Sequence, residues 1–237
     1  NYPQFRDCLI RYRDEGTVHK RSKDMENTLI KYLLREPFIN LKLNQINNSI
    51  IAQYRDRALK GLHPSSVKRR LAIISHLFSI ARKEWGFKIE NPVLDISKPK
   101  LPEPRDRRFT DKEIKLLIYG NKTSEKLKSI IQIALETGMR QGEILRIRRE
   151  NIIDKSLFIP VTKTKPRRIP LTAKALEILN NVVLPFELSG MAVSKQFNKL
   201  CKFYNIKDAR FHDLRRQALT NFMKDKKLTV AETMYIS

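Results

Sequence analysis

The chain has 237 residues, of which 41% are hydrophobic and 31% charged, and it carries a formal net charge of +23. It is too hydrophobic to be disordered by composition, long enough for one large or two modest domains, and basic enough to call for a polyanionic partner. No apolar run approaches the ~20 residues of a membrane span, so nucleic acid stands ahead of an anionic membrane surface.

The charge is spread along the chain. Residues 1–104 carry a net +9 and residues 105–237 a net +14. Two basic halves suggest two surfaces on one polyanion rather than an anchoring tail. Cys8 and Cys201 lie far apart and match no metal spacing, and their plain reading is a reducing, intracellular compartment. The sequence opens at Asn1 without a secretory segment, which reads as a fragment boundary.

The first half reads as helical, with helices expected near residues 4–14, 23–35 and 46–60. The best segment is residues 64–85. There Val67, Leu71, Ile74, Leu77, Phe78, Ala81 and Trp85 recur at steps of three and four and mark one buried face. Pro64 suits the first turn and Gly86 the stop. Lys68, Arg69 and Arg70 fall mostly off that stripe and could grip DNA phosphates, although a single basic run is more often a solvated face. Four helices without strands make a small helical domain, residues 1–98. Residues 99–108 read as an extended linker: Pro92, Pro99, Pro102 and Pro104 crowd residues 91–108, and proline fixes φ and removes donors.

The second half, residues 109–237, is mixed. Thr110-Asp111-Lys112-Glu113 has the form of a capping box that opens a helix. Residues 129–137 are apolar and helical, and Gly138 is a natural stop. Residues 141–148 should form a short helix. Residues 157–162 and 167–171 are β-like and read as a hairpin whose turn, Lys163-Thr164-Lys165-Pro166, carries lysines. Helices follow at residues 172–182 and 191–204, the latter with Val193, Phe197, Leu200, Cys201 and Tyr204 on its core face. Residues 212–224 and 228–236 are the last helical segments.

Three elements carry chemistry. Thr137-Gly138-Met139-Arg140-Gln141-Gly142-Glu143 sets an arginine just past a helix end with a glutamate three residues on. The lysine hairpin is the second. His212-Asp213-Leu214-Arg215-Arg216 is the third, and its i, i+3 spacing points His212 and Arg215 at one spot. Singly, each has an ordinary structural reading. Together, two arginines, a histidine and a lysine at successive element ends can surround a phosphate, which arginine's planar fork holds bidentately.

In order, residues 134–145, residues 162–171 and His212-Asp213-Leu214-Arg215-Arg216 resemble a tyrosine recombinase of the phage-integrase type. The resemblance covers nearly the whole chain. It implies a mainly α fold with a small β-hairpin or sheet. That fold would pair an N-terminal four-helix, SAM-like core-binding domain with a mixed α/β catalytic domain. It implies that Arg140 and Arg215 hold the scissile phosphate and that Lys163 is the general acid. His212 would assist in positioning and proton transfer, with Glu143 supporting the site. The hairpin is a residue shorter than the common pattern, so Lys165 stands as an alternative to Lys163. Lys165, Arg167, Arg168 and Arg216 join Lys68, Arg69 and Arg70 as DNA-contacting residues.

The same resemblance implies double-stranded DNA as partner, a homotetramer on DNA and accessory DNA-bending proteins. It implies no membrane, no metal or other cofactor, and a cytoplasmic, nucleoid-associated location in a bacterium or phage. It places the nucleophilic tyrosine, which forms a 3′-phosphotyrosyl link, beyond Ser237. Tyr235 and Tyr204 both read as packing residues, so these 237 residues alone are expected not to cleave. The alternative is a naturally truncated integrase remnant that binds DNA without cutting it.

Overall fold

The computed structural model describes residues 1–18, 20, 22–161 and 166–225. The chain divides into two compact units, Asn1–Pro104 and Arg105–Ser237. The division falls inside the Pro-rich stretch. Among the described residues, no helix is long and apolar enough to cross a membrane.

The first unit holds four α-helices among its described residues: α1 (Phe5–Arg11), α2 (Lys23–Leu33), α3 (Asn48–Leu59) and α4 (Pro64–Lys83). The expected first helix is shorter than its pattern, because Tyr12–Gly16 widens into a π turn that buries the Tyr12 ring. Helix α4 is the core element. His63 Nδ1 accepts the Ser65 N–H at its start, and Pro64 occupies the first turn. Val67, Leu71, Ile74, Leu77, Phe78 and Ala81 are buried along one face, each large side chain contributing about 1.5–3 kcal/mol. The helix stops at Lys83, two residues before the expected end. Gly86 takes a left-handed φ of 75° and lets Phe87 N donate to Ala81 O.

The expected basic face of α4 needs a correction. Lys68 and Arg69 are exposed, but Arg70 is buried. Its guanidinium lies 4.7 Å from the Tyr32 ring centroid and 3.9 Å from Glu36 Oε1. Arg70 sits three residues after Val67 and four before Ile74, so it shares their inward face. It packs the core edge and is not a surface phosphate contact.

The second unit is built around α6 (Glu125–Thr137), against which α5 (Asp111–Tyr119), α8 (Ala173–Asn180), α9 (Gly190–Phe203) and α10 (Phe211–Asp225) all pack. The Thr110–Glu113 capping box forms as the sequence requires. Helix α6 starts four residues earlier than its apolar run, because Ser124 Oγ accepts the Leu127 N–H. Helix α7 (Gln141–Ile144) is shorter than expected, its chain tightening to an Ile147 N to Ile144 O bond.

The sheet has three antiparallel strands, one more than the expected hairpin: β1 (Ile152–Ile153), β2 (Ser156–Ile159) and β3 (Arg167–Pro170). The pairing sets Leu157 opposite Ile169 and Ile159 opposite Arg167. Leu157, Ile159 and Ile169 alternate inward to the core with the strand period of two. The hairpin turn with Lys163 and Lys165, and the expected helix over residues 228–236, lie outside the described residues.

Residues 105–108, assigned to the linker from sequence, belong to the second unit. Arg105 pairs with Asp208 and Asp213, and Arg107 pairs with Glu113. Cys8 and Cys201 are buried free thiols, and burial pushes each up to about 11.

Candidate phosphate site

The site starts from the end of α6. Thr137 Oγ1 donates to Ile133 O and accepts the Met139 N–H, closing the helix. Gly138 then takes φ 62°, the left-handed region that glycine adopts without strain. This turn delivers Arg140 to the start of α7. From there Glu143 reaches back, its Oε2 accepting the Arg140 N–H at 3.1 Å and its Oε1 accepting Arg140 Nη1 at 3.2 Å.

Glu143 also receives Arg167, in a forked pair of 3.2 and 2.9 Å. Its side chain is only 4% exposed. Burial alone would push the carboxyl up. Hydrogen bonds from the Arg167 guanidinium and the Arg140 N–H, with the charge of Arg167, hold it below the usual carboxylate range. It is therefore an anion at neutral pH, and a point of attachment for two guanidiniums.

Arg215 comes from the opening of α10. It is buried, and its Nη1 donates to Gly138 O at 2.5 Å. Burial, with the nearby charges of Arg140 and Arg167 and against the opposing pull of Glu143, lowers its pKa to about 10. His212 is exposed, one turn before Arg215. Partial desolvation, then the charges of Arg215, Arg216 and Arg140, keep its pKa below the ordinary histidine value, with Asp213 opposing. It is neutral at pH 7 and can exchange a proton there. Three arginines thus gather around one buried carboxylate, with His212 within range of the charges of Arg140 and Arg215.

The structure brings Arg140, Glu143 and Arg215 together and sets His212 within range of the charges of Arg140 and Arg215. Lys163 and Lys165 lie outside the described residues. Arg168 is exposed on the outer face of β3, opposite Phe158. Arg167 is a correction: sequence assigned it to DNA contact, whereas its side chain is 9% exposed and braces Glu143. The available signal was its step of two from Ile169, which puts both on the inner face of the strand. Arg216 donates to Arg105 O and is half-buried. Tyr204 Oη accepts the Lys122 N–H and occupies the space that a Cβ on Gly120 would need, which ties it away from solvent chemistry. Among the described residues, no group of three or more His, Cys, Asp or Glu side chains could hold a metal ion.

A mainly helical chain with this small three-stranded antiparallel sheet has the fold of the tyrosine-recombinase integrases. Solved structures bear this out. The Tn1549 transposon integrase in complex with transposon right end DNA superposes with a TM-score of 0.85 at 16% identity, covering 99% of this chain and 90% of that one. A lambda integrase dimer bound to a COC′ core site gives 0.82 at 22% identity, over 99% and 94%. At such identities the likeness concerns the fold.

Residues 107–184 match the phage integrase family. The Shufflon-specific DNA recombinase of Escherichia coli is 32% identical over 97% of this chain and 64% of its own length. A putative integrase/recombinase of Haemophilus influenzae is 33% identical over 90% of this chain and 64% of its own. The chain therefore spans under two thirds of the length of these relatives.

Proposed function

We propose that the protein acts in site-specific DNA strand exchange, with the second unit binding and polarising the scissile phosphate of a DNA duplex. The observation that carries this reading is the convergence of Arg140, Arg215 and His212 beside a carboxylate that is itself braced by Arg167. Arg140 and Arg215 supply fixed donors to the non-bridging oxygens, where charge grows in the transition state. Glu143 and Arg167 keep Arg140 in one orientation, so little reorganisation is needed when the phosphate arrives. Neutral His212 can pass a proton at the phosphate, and Lys163 acts as the general acid to the leaving 5′-hydroxyl. Both basic units grip the same duplex through Lys68, Arg69, Lys165, Arg168 and Arg216. Strand exchange takes place in a homotetramer, as in the lambda integrase tetramer bound to a Holliday junction.

The second described tyrosine of this unit, Tyr119, is exposed at the end of α5, and Tyr204 is engaged with Lys122. We read neither as the nucleophile and expect these 237 residues to bind and polarise the phosphate without attacking it. A nicked suicide duplex is the test. The expected result is salt-sensitive binding with no covalent protein–DNA adduct from this chain. An adduct would overturn the inactive reading. Binding no weaker after Arg140→Ala or Arg215→Ala, at a phosphate analogue as well as at duplex, would overturn the site.

A further inference from the structure

The lead-in to the second unit is laid along the first two turns of α10. Arg105 is fastened at both ends. Its Nη2 donates to Asp208 O at 2.6 Å, pairs with the Asp208 carboxylate at 2.9 Å and reaches Asp213 Oδ2 at 3.4 Å. Its own carbonyl accepts from Arg216 Nη1. Four residues on, Phe109 N donates to Gln217 Oε1 at 3.0 Å. Asp213 is nearly closed to solvent, and its Oδ2 also accepts the Arg210 N–H at 2.8 Å, which closes the first turn of the helix.

The positions of these fasteners matter. Asp213 directly follows His212, and Arg216 directly follows Arg215. Neighbours on a helix stand roughly 100° apart, so Asp213 and Arg216 form the stripe beside the pair that faces the phosphate. Fixing that stripe fixes the rotation of α10 about its own axis. Rotation is what aims His212 and Arg215. The buried Leu214 and Ala218 set how deeply the helix sits, but apolar burial is non-directional and holds rotation less sharply. Arg105 also carries a penalty: its Nε and Nη1 are buried and make no hydrogen bond among the described residues. Buried donors left unmade are costly. A residue kept only to stabilise this segment would not be an arginine.

We propose that Arg105 is a positioning residue for the phosphate site, clamping the Asp213 and Arg216 stripe and thereby setting the aim of His212 and Arg215. The proposal rests on the phosphate-activating reading of that cluster. It assigns a role to a residue that touches no phosphate.

The test uses the whole 237-residue chain and its Arg105→Ala and Arg105→Lys variants. The His212 ring resonances are followed by NMR against pH, and orthovanadate is titrated as a phosphate analogue. The charged groups that act on His212 are Arg215, Arg216 and Asp213 on α10 and Arg140 ahead of α7. With Arg105→Ala, Asp213 is no longer shared, and its charge should move the His212 midpoint upward. Orthovanadate binding should weaken by ~10-fold or more, as expected when contact atoms shift by about an ångström. Arg105→Lys, which keeps the charge but not the fork, should fall between. A folded Arg105→Ala chain with wild-type His212 titration and wild-type vanadate binding overturns the proposal. Should that variant fail to fold, Arg105→Lys is read in its place, and unchanged vanadate binding overturns it equally. If the wild-type chain binds no orthovanadate, the phosphate reading falls, while the His212 midpoint still decides whether Arg105 sets the site.

Discussion

Glu36 in the first unit and Glu143 in the second are each the meeting point of two arginines. At Glu36, Arg57 lies at 2.6 Å and Arg70 at 3.9 Å. Aromatic rings cover both guanidiniums, with Tyr54 5.9 Å from Arg57 and Tyr32 4.7 Å from Arg70. At Glu143, Arg140 and Arg167 are joined by a third arginine, Arg215, with a depressed pKa, and by an exposed histidine. The same pair of bonds serves packing in one unit and, under the proposed function, orients Arg140 in the other. What separates them is the third arginine, Arg215, set beside Arg140 and Arg167 and offset in part by Glu143.

The largest effect should come from that extra cation. Arg215→Ala, in a chain carrying the nucleophile, should lower DNA cleavage by roughly 100- to 1,000-fold, the usual loss for one fixed transition-state donor. Single-turnover cleavage measures it, and duplex affinity should move far less. The carboxylates come next. Glu143→Gln should cost about 3–5 kcal/mol, because it removes the buried carboxylate that Arg140 and Arg167 share, whereas the more exposed Glu36→Gln should cost about 1 kcal/mol. Denaturant unfolding of each variant tests the contrast, and equal costs would erase it.

Acid should separate the two regions further. The depressed Glu143 carboxyl contributes stability that is present above the ordinary glutamate range and lost as pH falls through its lower folded value. Glu143→Gln should therefore flatten the acid limb of the unfolding profile. His212 works on ligand affinity instead. Its pKa is depressed, so it gains a proton only below the ordinary histidine range, and orthovanadate binding should tighten as pH falls through that window. The smallest effect tests the first unit. Arg69→Ala should reduce the slope of log affinity against log salt by about one, while Arg70→Ala should leave that slope unchanged and lower stability.

Much of this was legible in the sequence. Helix α4 follows from its three-and-four spacing, and α5 from its capping box. The gathering of Arg140, Glu143 and Arg215 follows from Thr137-Gly138-Met139-Arg140 and His212-Asp213-Leu214-Arg215. What escaped were arginines that face inward. Arg70 reads as one of three surface cations until its step from Val67 and Ile74 is counted. Arg167 reads as a DNA contact until its step from Ile169 is counted. Charge is visible in a sequence, but the direction of a side chain depends on the register of its element. Strand β1 escaped for a different reason, since two residues carry no periodicity.

Gly138 has no side chain, yet much converges on it. Its carbonyl holds Arg215, its φ is left-handed, and an added Cβ would fall 3.1 Å from Leu219 Cδ2. A substitution therefore meets two tolerances in this unit. An exposed side chain such as Arg168 can be exchanged without moving the backbone. At Gly138 even one methyl group would strain the end of α6 and press on Leu219, beside the carbonyl that holds Arg215. The seat of the most buried arginine thus depends on a position that has no side chain of its own.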